Sequence, residues 1–183
     1  MIKLLKKLDL KGTIIDIGGA SGTPKDKFKS WEPEKHIILD NNLEKEAKAN
    51  LWVEPDVIFD LNIDNWTGET ADWVICLSVF TYIYDPVKAM STIYSMLKNG
   101  GNAVISFPFI YPHHPISKAD TLRYTRAGIE ILFQKAGFKN CNIVGDKTEH
   151  LKLLNEFYEL EKFHKAIDID HSEINFMAKA TKE

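Results

Sequence analysis

An apolar run that ends in a glycine-rich turn is the feature that most constrains the fold of this 183-residue chain. The run covers residues 13–17, and Gly18, Gly19 and Gly22 follow it. Glycine permits a positive φ and lets a ligand approach the backbone closely. In an open α/β sheet, a nucleotide-like ligand lies at the carboxyl end of the first strand. The segment therefore predicts a buried strand followed by a ligand-binding turn.

An acidic residue in the same segment separates two classes of ligand. A dinucleotide site uses the spacing G-x-G-x-x-G, which places a pyrophosphate on a helix N-terminus, and this spacing is absent here. Asp16 instead stands two positions before Gly18. Its carboxylate would repel a pyrophosphate but attract an ammonium group and a sulfonium. The pattern favours a cationic ligand, and a nicotinamide-dependent oxidoreductase is the alternative that it disfavours.

Short apolar and β-branched runs recur along the chain, with helical patterns or loops between them. Such alternation is typical of a mostly parallel sheet that is covered on both faces. The further runs are His36–Asp40, Val57–Phe59, Trp73–Leu77, Ala103–Phe107, Asn142–Val144 and Ile174–Ala178.

Capping residues indicate where two of the helices begin and end. Asp85 is predicted to be an N-cap that is followed by a proline at N1, and Asn99-Gly100-Gly101 is predicted to end this helix. Thr125 is predicted to cap the second helix, which Gly137 ends. A third helix is predicted from about Glu149 to Ala166, from an apolar pattern at helical spacing.

The chain is predicted to form one domain over residues 1–183, because its length suits a single core. A short N-terminal helix is predicted over residues 1–12, and a helical insertion over residues 146–170, before the last strand. The N-terminal stretch is basic and amphipathic but lacks the apolar segment of a secretory signal, and no run reaches membrane-spanning length. A contact of Lys3, Lys6 and Lys7 with a membrane surface is the alternative for this helix.

Composition and charge narrow the class of partner. Apolar residues make up 44% of the chain and charged residues 27%, which is typical of a globular protein, expected here in the cytoplasm. The net charge of −3 gives no general attraction for a polyanion, so a nucleic-acid partner is disfavoured. Cys76 and Cys141 have no further ligand residue at metal-site spacing, and we predict two reduced thiols and no bound metal.

The glycine-rich segment Asp16-Ile-Gly-Gly-Ala-Ser-Gly22 resembles the D-x-G-x-G-x-G motif of class I S-adenosylmethionine-dependent methyltransferases, with Ala20 in place of the middle glycine. Residues 71–78 resemble the family's fourth strand, and residues 97–101 resemble its L-K-P-G-G turn. The resemblance extends from about residue 13 to residue 144 and is to a type 11-like subgroup. It implies a Rossmann-like, doubly wound α/β fold, with a mostly parallel seven-stranded sheet and an antiparallel last strand.

The resemblance also implies S-adenosylmethionine as the cofactor and assigns its contacts. Asp40, 22 residues after Gly18, would bind the ribose hydroxyls. Asp60 would accept from the adenine amino group, with Asp64 as its rival, and the Leu61 amide would meet the ring. The implied cofactor residues are Asp16, Gly18, Gly19, Ala20, Gly22, Asp40, Asn41, Asp60, Leu61, Ser78 and Val79.

Methyl transfer is a direct displacement, which requires a nucleophile held in line and, for a hydroxyl acceptor, a base. Residues 108–115 and 120–125 resemble the subgroup's P-x-x-Y-P-x-H-P and D-x-x-R-x-T segments. The resemblance implies a base at His114 or His113 and an acceptor-orienting role for Tyr111. It places Asp120, Arg123 and Tyr124 at the acceptor, although Asp120 and Arg123 would alternatively pair with each other.

The resemblance to this subgroup implies a methyltransferase that acts on a small-molecule or glycan acceptor, and we expect a hydroxyl group as the target and a monomer or homodimer. The alternative is a non-catalytic binding or partner subunit of the same fold. Ala20 and the short crossover at residues 23–35 favour this alternative. So do Thr81 and Tyr82, which stand where the family commonly has glutamate and histidine.

Overall fold

The computed structural model describes residues 2–43, 45, 52–110, 119–147 and 173–183. Within these ranges the chain forms seven strands and three α-helices. The strands are β1 (Asp9–Ile17), β2 (Ser30–Asp40), β3 (Val57–Ile58), β4 (Ala71–Cys76), β5 (Leu97–Pro108), β6 (Cys141–Lys147) and β7 (Glu173–Thr181). The helices are α1 (Ile2–Leu5), α2 (Pro86–Met96) and α3 (Arg126–Ala136). The helix predicted over residues 149–166 lies outside the described residues, as does most of the predicted insertion at 146–170.

The strands form one mixed sheet in the order β3-β2-β1-β4-β5-β7-β6. Strands β1 to β5 are parallel, whereas β7 lies antiparallel to both β5 and β6. This arrangement confirms the predicted Rossmann-like sheet with an antiparallel last strand. The strand order reverses between β1 and β4, and in such sheets the crevice outside the carboxyl ends at this point is where ligands bind. That the whole chain is one domain stays a prediction.

The sheet separates two apolar clusters, because successive side chains of a strand point to opposite faces. On one face Ile15 and Ile17 of β1 pack in a cluster that includes residues of α2 and α3. On the other face Leu10 and Ile14 pack with leucines of α1. Asp16 follows the alternation of Leu10 and Ile14 and lies on their face of the sheet.

The N-terminal part of the chain differs from the prediction over residues 1–12. The helix α1 ends at Leu5, and β1 begins at Asp9, which pairs with Ser30 of β2. Leu10 is fully buried in this extension of the strand. The pairing with β2 and the burial of Leu10 therefore prevail over the short amphipathic pattern.

The caps of the two marked helices are confirmed. The Asp85 side chain accepts a hydrogen bond from the Lys88 amide, and the Thr125 side chain accepts one from the Gly128 amide. Gly137 ends α3, as predicted. Helix α2 ends at Met96, earlier than the predicted stop at residues 99–101, because β5 begins directly at Leu97 and pairs there with β4.

The connection between β1 and β2 contains no α-helix. It forms two short 3-10 turns, Gly19–Ser21 and Lys25–Lys27. Phe28 of this connection packs in the cluster that contains α1, where it helps to cover the sheet. None of the helices in the described ranges has the length and apolar character needed to cross a membrane.

A carboxylate near the amino ends of β4 and β5 joins these two strands to the middle of β1. Asp72 Oδ2 accepts hydrogen bonds from the Thr13 amide and from Lys98 Nζ, each at 2.8 Å. Burial raises the pKa of Asp72, but the hydrogen bonds from Lys98 and from the Thr13 amide outweigh it and bring the pKa below the ordinary value of 3.8. The ionised carboxylate therefore stabilises the sheet above that pH.

We predict that Asp72→Asn lowers the melting temperature at pH 7 by a few degrees, because the amide loses the charge that Lys98 faces. The deficit should stay full down to about pH 3.8 and shrink below it, where the wild-type carboxylate also becomes protonated. Thermal melts from pH 7 to pH 2.5 test this. Asp26→Asn is the matched control, since Asp26 pairs with the adjacent, exposed Lys27. A deficit that is independent of pH would contradict the assignment.

Candidate cofactor site

A cavity of about 240 Å³ lies at the carboxyl edge of the parallel strands. Each strand end contributes to its wall. These residues are Ile17 and Gly18 at the end of β1, Asp40 and Asn41 at the end of β2, Asp60 and Leu61 after β3, Ser78 and Val79 after β4, and Ser106, Phe107 and Pro108 of β5. Seven of the eleven predicted cofactor residues therefore line one cavity: Gly18, Asp40, Asn41, Asp60, Leu61, Ser78 and Val79.

The glycine turn forms the end of the cavity that lies next to β1. Gly18 has φ 81° and its amide donates to Leu39 O of β2 at 2.7 Å. A Cβ at Gly18 would stand 2.4 Å from Val79 Cγ2, so only glycine fits between the two cavity walls. Gly22, with φ 107°, ends the turn.

Ala20 does not line the cavity. Its side chain is fully buried, and its carbonyl accepts a hydrogen bond from the Val53 amide at 2.8 Å. The methyl group that replaces the family's middle glycine therefore lies in the protein interior and leaves the cavity open. Gly19 and Gly22 are likewise absent from the cavity wall, whereas Ser21, which the sequence analysis did not select, is present.

Asp16 is placed beneath the turn, away from the cavity wall. It is 3% exposed, and the Thr23 hydroxyl donates to its Oδ2. His36 Nε2 lies 3.5 Å from the same oxygen. A Cβ at Gly19 would stand 2.6 Å from Asp16 Oδ2, so the turn rests directly on the carboxylate. Asp16 therefore supports the glycine turn and does not line the cavity, and its contact with a ligand stays a prediction.

The turn after β2 presents Asp40. Its Oδ1 accepts a hydrogen bond from the Asn42 amide at 2.9 Å, and Asn42 has a left-handed φ of 62°. Asn41 Oδ1 accepts from the Leu43 amide at 3.0 Å. These local bonds hold both polar side chains at the cavity, where a carboxylate suits a ligand with paired hydroxyl groups.

The turn after β3 decides between Asp60 and Asp64. Asp64 Oδ2 accepts from the Asp60 amide at 2.7 Å, so Asp64 closes the turn and does not line the cavity. Asp60 lines the cavity, and its Oδ1 accepts from the backbone and the side chain of Asn62. The geometry supports Asp60 as the ligand-facing acid of the pair.

The segment after β4 contains a backbone conformation that is unusual for a non-glycine residue. Ser78 has φ 61°, and its amide donates to Ser106 Oγ at 2.7 Å. A 3-10 turn over Phe80–Tyr82 follows, and Thr81 and Tyr82 line the cavity where the family commonly has glutamate and histidine. The ends of β4 and β5 are thus joined by one hydrogen bond at the cavity.

The predicted acceptor-binding residues are placed elsewhere. Tyr124 is 5% exposed; its hydroxyl donates to Phe80 O at 3.2 Å, and its ring contacts Phe80 and Phe107 edge-on. Burial raises the pKa of Tyr124 well above its usual value, so this side chain is a neutral part of the core. Arg123 donates to both oxygens of Asp120, at 2.6 and 2.9 Å. The geometry therefore favours the alternative in which Asp120 and Arg123 pair with each other.

The remaining predicted residues are the candidate bases and the two cysteines. Tyr111, His113 and His114 lie outside the described residues. Cys76 and Cys141 are free thiols, as predicted. Burial, followed by the negative charge of Asp16, raises the pKa of Cys76 and keeps this thiol neutral.

Several cavity residues were missed by the sequence analysis. Ser106 lies near the carboxyl end of β5, where ligands of open α/β sheets bind, and this position could have selected it. Asn175 of β7 pairs with Pro108 of β5, and only the antiparallel register brings it to the cavity. Asn62 carried no signal, because its contacts join two loops that are distant in sequence.

Comparison with known proteins identifies the family. Residues 1–143 match the profile of a methyltransferase domain family, and the chain belongs to this family. No curated protein sequence matches the chain. An S-adenosylmethionine-dependent methyltransferase from Thermotoga maritima is 14% identical, with a TM-score of 0.67 over 100% of this chain and 87% of that chain. One from Mesorhizobium loti is 15% identical, with a TM-score of 0.65 over 99% and 95%.

A third similar structure contains a bound product cofactor. It is phosphoethanolamine N-methyltransferase 2 from Haemonchus contortus, in complex with phosphomonomethylethanolamine and S-adenosylhomocysteine. It is 16% identical, with a TM-score of 0.61 over 99% of this chain and 51% of that chain. The family and these structures support S-adenosylmethionine as the cofactor. The cavity fits this group, because it offers glycine backbone at Gly18 and carboxylates at Asp40 and Asp60.

We predict that Gly18→Ala weakens binding of S-adenosylhomocysteine at least tenfold, because the new methyl group meets Val79 and the backbone at φ 81° becomes strained. Titration calorimetry measures the affinity. Adding Val79→Ala to Gly18→Ala should restore part of it by removing the clash. Gly22→Ala is the matched control, since Gly22 also has a positive φ but a Cβ added there would have no atom within 4 Å. Equal losses for Gly18→Ala and Gly22→Ala would show that strain, and not the clash, governs binding.

Proposed function

We propose that the protein transfers the methyl group of S-adenosylmethionine to a hydroxyl group of a small-molecule or glycan acceptor. The observation that carries this proposal is the single cavity at which Gly18, Asp40 and Asp60 meet, in a chain of the methyltransferase domain family. When bound, the cofactor supplies an electrophilic methyl group on a sulfonium. The work of the protein is then to hold the acceptor in line and to remove its proton.

The order of strand ends gives the cofactor its proposed orientation. Gly18 would accommodate the amino-acid tail, Asp40 would accept from the ribose hydroxyls, and Asp60 would accept from the adenine amino group. The methyl group would then point towards the ends of β4 and β5. At this end the cavity contains the neutral polar side chains Ser106 and Asn175.

These neutral groups support the proposed acceptor class. Among the described cavity residues, the only carboxylates are Asp40 and Asp60, both on the cofactor side. Ser106 and Asn175 offer a cationic amine hydrogen bonds but no ion pair, whereas a hydroxyl can both donate to and accept from these side chains. This supports an uncharged acceptor, in contrast to the phosphomonomethylethanolamine named for the Haemonchus contortus enzyme.

The decisive experiment is incubation with methyl-labelled S-adenosylmethionine and matched panels of hydroxyl and amine acceptors. The panels would include sugars, nucleotide sugars and small phenols, each with its amino analogue, and the readout is label in the product. Transfer to hydroxyl compounds supports the proposal, and transfer to amines alone contradicts the acceptor class. Tight binding of the cofactor with no transfer to any acceptor would favour a non-catalytic partner subunit.

We predict that Asp40→Asn weakens cofactor binding by about 2–3 kcal/mol, because the amide is a poorer acceptor for two ribose hydroxyls and carries no charge. Asparagine keeps an oxygen for the Asn42 amide, so the turn itself should persist. Calorimetry with S-adenosylhomocysteine gives the affinity. Asp56→Asn is the matched control, since Asp56 Oδ2 accepts from the Ile38 amide and does not line the cavity. Unchanged affinity in Asp40→Asn would remove Asp40 from the ribose.

We predict that His114→Ala slows methyl transfer by about 10²–10⁴-fold while leaving cofactor affinity unchanged, because it would remove the base and no cofactor contact. His113→Ala is the paired variant and distinguishes between the two candidates; Tyr111→Phe tests the orienting hydroxyl. Single-turnover rates and calorimetry would be measured on each variant. A loss of cofactor affinity without a change in the chemical step would reverse the assignment.

A further inference from the structure

Asn62 is a buried cavity residue that joins two loops which the sheet does not connect. It is 7% exposed and follows β3, whereas its partners Tyr82 and Tyr84 follow β4. In the sheet, β2 and β1 lie between β3 and β4. The loops after β3 and β4 therefore follow strands that do not pair with each other, and the Asn62 side chain joins these two loops.

Both the nitrogen and the oxygen of the Asn62 side-chain amide make hydrogen bonds. Its Nδ2 donates to Asp60 Oδ1 at 3.1 Å and to Tyr82 O at 3.2 Å. Its Oδ1 accepts from the Tyr84 amide at 2.9 Å. The backbone amide of Asn62 donates a further bond to Asp60 Oδ1 at 2.9 Å. A buried polar group with this set of partners fixes its surroundings in one arrangement.

These bonds make the two oxygens of the Asp60 carboxylate different from each other. Oδ1 receives two donors from Asn62, whereas no donor from the described residues reaches Oδ2. Asp60 lines the cavity, so Oδ2 is the oxygen that is left for a ligand. An amino group donates to such an oxygen, whereas a carbonyl oxygen would be repelled by it.

We infer that Asn62 is a positioning residue for base recognition: it orients Asp60 so that the cavity selects adenine over hypoxanthine, and it holds the β3 and β4 loops together around the base. The inference rests on the proposed placement of the cofactor. Asn62 touches Asp60 and not the reacting atoms, so its effect is expected in ligand discrimination. A site whose carboxylate accepts a hydrogen bond from an amino group loses its selectivity for that group when the carboxylate is no longer held in place.

The test compares the affinities of S-adenosylhomocysteine and S-inosylhomocysteine, in which a carbonyl replaces the 6-amino group of the base and N1 carries a proton. Wild-type protein should prefer the adenosyl compound by tenfold or more. Asn62→Asp keeps the acceptor for the Tyr84 amide but removes both Nδ2 bonds. We expect it to weaken adenosyl binding about tenfold and to bring the preference close to one. Asn62→Ser, a milder change that keeps a donor for Asp60, should give an intermediate preference.

Three comparisons make the result specific. Asn142→Asp, at an exposed position on β6, should leave both affinities and the melting temperature unchanged. Asp60→Asn should itself abolish the preference, and adding Asn62→Asp should change it no further, because Asn62 acts through Asp60. Equal losses for both ligands would overturn the inference and leave Asn62 as a structural link alone. Failure of the wild type to bind S-adenosylhomocysteine would instead overturn the proposed function, and this inference with it.

Discussion

The parallel pairing of β1 with β2 on one side and β4 on the other is the constraint on which the rest of the structure depends. It brings the carboxyl ends of β1, β2 and β4 to one edge of the sheet. The strand order reverses beside β1, which opens a crevice there. Gly18 and Val79 approach across this crevice so closely that no Cβ fits at Gly18. The site therefore follows from the pairing of these strands and from the absence of a side chain at Gly18.

Features that depend on short-range chemistry could be predicted from the sequence. The caps at Asp85 and Thr125 follow from local residue preferences and were confirmed. Gly18, predicted from the glycine-rich turn, lies at the cavity. Asp16 was assigned to the ligand from its charge beside the glycine turn and from the motif it belongs to, although strand alternation places it with Ile14 on the opposite face from Ile15. Because successive side chains of a strand point to opposite faces, the sequence alone could have placed Asp16 on the face away from Ile15 and Ile17.

Features that depend on contacts between distant segments could not be predicted. Tyr124 belongs to a motif that resembles an acceptor site, yet its ring fills the core between Phe80 and Phe107. Asn62 looks like an ordinary turn residue, and only its bond to Tyr82 O shows that it spans two walls. A single sequence reports local propensity and periodicity, but it does not report which side chains meet after folding. This is why, among the described residues, the cavity is lined by residues predicted for the cofactor and not by those predicted for the acceptor.

The short connection after β1 bears on the class of ligand. In dinucleotide sites the glycine turn leads into a helix, whose N-terminus stabilises a pyrophosphate. Here the turn leads only into the 3-10 turn Gly19–Ser21, and the buried Asp16 lies under it. The positive end of a helix dipole is missing, and a negative charge takes its place. Because both features disfavour an anion and favour a cation, they argue against a nicotinamide dinucleotide as the ligand, even though Asp16 does not line the cavity.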